Sequence, residues 1–179
     1  NVKNLGILGF EEVLKESPAL FNNHKISHKV LIKKNNSIPG CLYLSNIEIF
    51  NHIGLFDESY YMYGEDNDFF YRLIKSRYLI YQANIPVWHF GEGFSQQKKL
   101  LPTWYAYRNS IKFSLKNQNL YEILRMLVFL FHIGCNPFFI KNKNDPVHRR
   151  MRRYNIFTNF ILILLSMFWN IFNKLRLIK

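Results

Sequence analysis

Apolar and polar positions alternate over short stretches up to about residue 118, and longer apolar runs follow. The first stretch, "LGILGFEEVLKE" (residues 5 to 16), mixes apolar and acidic positions and predicts a short helix ending before Pro18. "HKISHKVLIKK" (24 to 34) carries Ile26, Val30 and Ile32 in an alternating pattern and predicts a strand. His24 and His28 stand four apart, a spacing that brings two imidazoles to one metal on a helix. On a strand they share a face without converging, so no metal pair is expected there. Pro39-Gly40 punctuates the chain, "CLYLS" then predicts a short buried strand, and "NIEIFNHI" a short helix stopped by Gly54. After an aromatic loop, "FDESYYMYGED", a helix is expected from Asp66. Phe69, Phe70, Leu73 and Ile74 form one face of it, with Asp68 and Arg72 paired at i, i+4 on the other side. "RYLIYQ" and "IPVWHF" predict two short strands split by Pro86, "GEGFSQQKK" a loop, and "LPTWYAYRNSIKFSLKN" a helix with Pro102 near its start.

Beyond residue 119 the runs "ILRMLVFLFHIGCNPFFI" and "IFTNFILILLSMFWNIF" each fall short of the ~20 clean apolar residues of a spanning helix. Asn159, Asn170 and Asn173 flank or interrupt the second run, and "HRRMRRY" precedes it. Two readings stay open: a membrane-surface helix or short hairpin, and a buried core helix with a basic exposed end. Charge sharpens the first. The formal net charge is +12, yet residues 1 to 140 hold 15 Lys+Arg against 11 Asp+Glu, and residues 141 to 179 hold 9 against 1. A basic, aromatic-rich tail fits an anionic surface, either lipid headgroups or nucleic acid. The basic run is short and adjoins a very apolar segment, which argues against nucleic acid.

With 49% hydrophobic and 17% aromatic residues, 179 residues suit one domain with an appendage, divided here as 1–118 and 119–179. Cys41 and Cys135 are too few and too far apart for a disulfide framework or zinc site, so a reducing compartment is expected. The chain opens on Asn1, and no basic, apolar leader follows. It therefore reads as a portion of a longer protein without a signal peptide.

Against this basic background the acids Asp57, Glu58, Glu65, Asp66 and Asp68 cluster around the aromatic loop. Carboxylates at a helix start commonly serve as caps, because the free N–H groups and the dipole favour them. The company here is fuller than a cap requires. The segment "PGCLYLSNIEIFNHIGLFDESYYMYGEDNDFFYRLIKSRYLIYQANIPVWHFGEGFS" resembles the C-terminal half of a family 2 glycosyltransferase domain. The resemblance is carried by Gly54-Leu55-Phe56-Asp57-Glu58, by Glu65-Asp66-Asn67-Asp68 with Arg72, by Arg77-Tyr78-Leu79-Ile80, and by His89-Phe90-Gly91 through Ser95. "WYAYRNSIKF" is similar to the aromatic-Arg-Asn helix of rhamnosyltransferase-like members, so the likeness runs from about residue 37 to 116.

This resemblance implies an α/β chain: a partial GT-A (nucleotide-diphospho-sugar transferase-like) fold, acceptor-side half, with C-terminal apolar and basic helices. It also implies an inverting transfer from a nucleotide-sugar donor to a glycan or lipid-linked acceptor, with a divalent metal, Mn2+ or Mg2+. Asp66 is then the first choice for the base that takes the acceptor's proton, and Glu65 the alternative. Asp57, Tyr61, Tyr63, Asp68 and Arg72 form the candidate substrate-binding set. Within it Asp68 is expected to brace Arg72, and the tyrosines either stack on sugar or pack the loop. His89 is the candidate metal ligand. Upstream of Pro39 the only acids are Glu11, Glu12 and Glu16. No Asp-x-Asp motif is present, and 38 residues cannot build a doubly wound nucleotide site. The chain is thus expected to lack donor binding, to depend on an N-terminal half in cis or in trans, and to be inactive alone. Its expected place is the cytoplasmic face of a membrane. The competing reading is a non-catalytic, membrane-associated remnant of such an enzyme.

Overall fold

The computed structural model describes residues 4–14, 30–89, 100–135 and 155–176. The described residues form a mixed α/β structure with a four-stranded mixed sheet and five helices. They fall into two compact units: Asn1–Glu58 with Glu65–Gly93, and Ser59–Gly64 with Phe94–Lys179. Residue 118, where the sequence reading divides the chain, falls within the second of these units.

The first unit is built on strand β1, Leu5–Leu14, where the sequence predicted a helix. Its apolar start belongs to a central strand flanked on both sides, for which a near-continuous apolar run is the usual pattern. Gly6 and Gly9 weaken a helix and here allow close approach. A Cβ on Gly6 would meet Leu73 and Tyr78, and one on Gly9 would meet Ile38. Strand β2, Ile32–Asn35, realises the part of "HKISHKVLIKK" that the structure describes, whereas His24 and His28 lie outside the described residues. Strand β3, Tyr43–Ser45, is an edge strand with Leu44 exposed, not the buried strand expected.

Helix α1, Ile47–Ile53, begins at Asn46, whose side chain accepts from the Glu48 N–H, and ends at Gly54 with φ 81°. Helix α2, Glu65–Lys75, buries Phe69, Phe70 and Leu73. Its register departs from the sequence reading at two positions: Asp68 is fully buried, and Ile74 is 42% exposed.

"RYLIYQ" and "IPVWHF" are one strand, β4, Leu79–His89. The sheet order is β2-β4-β1-β3, with β4 parallel to β1 and antiparallel to β2. Pro86 is accommodated by an irregularity in place of a break. The β1 register steps from Phe10–Ala83 to Glu11–Pro86, and pairing with β2 stops at Ala83, so the missing Pro86 N–H falls past the end of that ladder. α2 covers one face of this sheet, joining Ile7, Ile38, Ile49, Phe69, Phe70, Leu73 and Ile80 in one core. Each such side chain contributes on the order of 1.5–3 kcal/mol when buried.

The second unit is helical. α3, Leu100–Asn117, carries Pro102 in its first turn. α4, Leu120–Cys135, is capped by the Asn119 side chain and runs on through His132 and Gly134. α5, Ile156–Arg176, is capped by the Asn155 side chain. The core contains Ala106, Tyr107 and Ile111 of α3, Leu130 of α4, and Leu162 and Ile163 of α5. The asparagines in the last apolar run do not interrupt the helix. α5 is the one helix among the described residues long and apolar enough to cross a membrane, over Ile156–Lys174.

Candidate active site

Helix α2 opens with Glu65, Asp66 and Asp68 in its first turn, where unpaired N–H groups and the helix dipole hold negative charge. The three carboxylates have separate surroundings. Glu65 is half-buried, and its Oε2 is buried with no hydrogen-bond partner. Burial raises the Glu65 pKa above the ordinary carboxyl value; a backbone N–H lowers it and the Asp66 carboxylate raises it further, both to smaller extents. Asp66 accepts the Asn67 N–H at 2.7 Å and packs against the Pro39-Gly40 turn. A Cβ on Gly40 would lie 2.5 Å from Asp66 Oδ2, so the turn approaches that carboxylate as closely as glycine allows. Tyr43 of β3 feels the same pair: burial first, then Asp66 and Glu65, push its hydroxyl pKa up.

Asp68 faces inward and accepts from Arg72 Nε at 2.9 Å. Arg72 in turn donates to the carbonyls of Ile53, Gly54 (3.3 Å) and Leu55 (2.7 Å). Ile53 is the last residue of α1, Gly54 its cap and Leu55 the residue after, so the pair ties the end of α1 to α2. Asp57 is half-buried in the segment that follows. His89 ends β4, opposite Leu14 of β1. Among the described residues no three His, Cys, Asp or Glu side chains come together as a metal-binding group.

The tyrosine loop belongs to the second unit and is held from below by α3. Tyr60 is fully buried and Tyr61 is 71% exposed, while Tyr63 packs against the helical core. Tyr61 and Tyr63 adopt φ 60° and 64°, a conformation that is uncommon for side chains of this size and costs on the order of 1–3 kcal/mol each. Buried Arg108 and Asn109 hold the loop there. Arg108 Nη2 donates to the carbonyls of Ser59 (2.9 Å) and Tyr60 (2.7 Å). Its Nε donates to Asn109 Oδ1, which turns Asn109 Nδ2 toward the carbonyls of Tyr60, Met62 and Tyr63 at 2.6–2.9 Å. The guanidinium lies over the rings of Trp104, Tyr105 and Trp169, 4.4–5.3 Å from their centroids. Burial is the largest influence on it and draws its pKa down, with Tyr105 and Tyr60 acting the other way. Among the tyrosines, Tyr61 is the exposed ring and Tyr63 is packing.

The structure therefore brings Glu65, Asp66, Gly40 and Tyr43 together, assigns Asp68 and Arg72 to an internal brace, and places Tyr61 on a clamped loop. Gly40 and Tyr43 were not candidates in the sequence, because their closeness to Asp66 depends on the sheet. Arg108-Asn109 left one sign: two adjacent strongly polar residues in a helix otherwise aromatic and apolar around them. Comparison with protein-family models, with characterised proteins and with solved structures gives no match.

Proposed function

We propose that the chain is the acceptor-side part of an inverting glycosyltransferase of the GT-A type. It would pass a sugar from a nucleotide-sugar to a glycan or lipid-linked acceptor at the cytoplasmic face of a membrane. The order and spacing of the sequence elements support the class. The observation that carries the chemistry is Glu65, a half-buried carboxyl with an unpartnered buried oxygen and a raised pKa beside a second carboxylate. A base for a sugar hydroxyl works best when its basicity is raised toward the working pH. Glu65 has that character, so it takes the role for which the sequence alone ranked Asp66 first.

In the transfer, the acceptor oxygen bonds to the anomeric carbon while its proton passes to Glu65. The bond from that carbon to the diphosphate breaks, and the nucleoside diphosphate leaves with the electron pair. Asp66, set by the Asn67 N–H and the Gly40 turn, orients the acceptor. A bound divalent cation, Mn2+ or Mg2+, would supply charge to the departing diphosphate. His89 is the ligand this chain would offer.

Transfer of labelled sugar from a panel of nucleotide-sugars to lipid-linked and soluble glycan acceptors tests the reading. The chain is assayed alone and joined to a donor-binding half, with Glu65→Gln and Asp66→Asn beside it. Product from the joined protein, lost in Glu65→Gln, is the expected result. Absence of product from every combination would favour the second reading, a non-catalytic membrane-associated module.

A further inference from the structure

α5 turns a mixed face, Leu162 and Ile163 beside buried polar residues, toward its own unit and an apolar stripe away from it, where a helix facing water would be polar. Asn159, Ser166 and Asn170 are buried. Asn159 Oδ1 accepts from the Tyr107 hydroxyl at 3.2 Å, and Asn170 Nδ2 donates to the Arg108 carbonyl at 3.0 Å. The outward stripe is Phe157, Leu165, Phe168 and Phe172, at 71%, 52%, 56% and 66% exposure. On α4, Tyr121 and Val128 are each 69% exposed. Only 28% of the apolar stretch of α5 is buried, which does not suit the core helix of a globular unit. The surrounding charge matches an anionic surface: "HRRMRRY" leads into α5, and Lys174, Arg176 and Lys179 close the chain.

Length alone would let α5 span, but α3 prevents it. Leu162 and Ile163, near the middle of α5, share a core with Tyr107 and Ile111 of α3, and Trp169 stacks on Arg108. A spanning α5 would carry Arg108, Lys112 and the irregular backbone of residues 59–63 into hydrocarbon. Cations and non-helical backbone cost several kcal/mol there.

We propose that α4 and α5 form a monotopic anchor. In it α5 lies in the plane of an anionic lipid surface, its aromatic stripe sunk about 5–10 Å to the acyl boundary, and does not cross. This rests on the membrane placement proposed above and is independent of the transfer chemistry. It would also hold the unit against the layer from which a lipid-linked acceptor is presented.

The test uses the full chain with Cys41→Ser and Cys135→Ala, carrying single cysteines at Phe157, Leu165 or Phe172. Each is labelled with an environment-sensitive dye after synthesis in the presence of phosphatidylglycerol–phosphatidylcholine vesicles. Lipids brominated at different depths then report dye position. Equal, shallow quenching at all three sites is expected. A profile with Leu165 deep and both ends shallow means a spanning helix and overturns the in-plane geometry while leaving membrane placement intact. No quenching at any site overturns membrane placement as well. A dimer in sedimentation that coincides with absent quenching would assign the stripe to a second copy and likewise overturn the proposal.

Discussion

Glu65 holds the sharpest conflict in the molecule, since the burial that would suit the proposed base costs stability once the carboxyl ionises. Its pKa is raised in the folded chain. The stability it contributes is complete below the ordinary carboxyl value of 4.5 and is lost as pH rises through the folded value. Glu65→Gln removes that loss. The variant should therefore gain stability relative to wild type between pH 4 and pH 7, read as diverging urea midpoints, while transfer by the joined protein falls about 100- to 10,000-fold. Parallel midpoints at both pH values would mean that Glu65 titrates as an exposed acid. Gly40→Ala acts on the neighbouring carboxylate. Its Cβ would press on Asp66, and since Gly40 is exposed the turn can yield. The melting temperature should hardly move, whereas a displaced Asp66 should lower transfer about 10- to 100-fold. Unchanged transfer would remove Asp66 from acceptor positioning.

At the scale of elements, legibility followed how local the cause is. Asn46, Gly54, Pro102 and the Phe69-Phe70-Leu73 spacing set α1, α2 and α3 close to where the sequence places them, because caps and periodicity act within a few residues. β1 was misread because its two glycines are explained only by what lies across from them, Ile38, Leu73 and Tyr78. The asparagines of α5 were misread for the opposite reason. A polar residue lowers hydropathy whichever way it faces, and only the partner helix shows that Asn159 and Asn170 face inward. The neighbouring acids of the candidate site were legible, while the difference between Glu65 and Asp66 was not, since burial and the Gly40 contact are tertiary. The α3 clamp has the same origin and makes its own prediction. Asn109→Ala strips the donor from three loop carbonyls while Tyr61 and Tyr63 stay strained. It should cost about 1–3 kcal/mol in chemical denaturation of the second unit and speed hydrogen exchange at residues 60–64. Exchange no faster than in wild type would show that the loop holds its shape without the clamp.

Over the whole molecule, charge and apolarity are distributed together. The last 39 residues carry 9 of the 24 Lys+Arg and 1 of the 12 Asp+Glu, and they include the helix with the outward aromatic stripe. In the proposed anchor the two features would divide the work of binding a surface. Apolar burial is insensitive to salt, whereas attraction to anionic headgroups weakens as ions screen it within about 10 Å at 0.1 M. Replacing Arg149, Arg150, Arg152 and Arg153 by Gln removes four of those charges without touching the stripe. At about 1 kcal/mol per basic residue near an anionic surface, affinity for phosphatidylglycerol-containing vesicles should fall about 100- to 1,000-fold. Binding to pure phosphatidylcholine should stay as weak as that of wild type, and the steep salt dependence should flatten. Flotation across a salt series reads all three quantities. If the variant keeps wild-type affinity for anionic vesicles, the stripe alone carries membrane binding and the basic run has another role. A loss on both lipid compositions would instead mean that the run supports α5 itself, since only contact with anionic headgroups makes the loss composition-dependent.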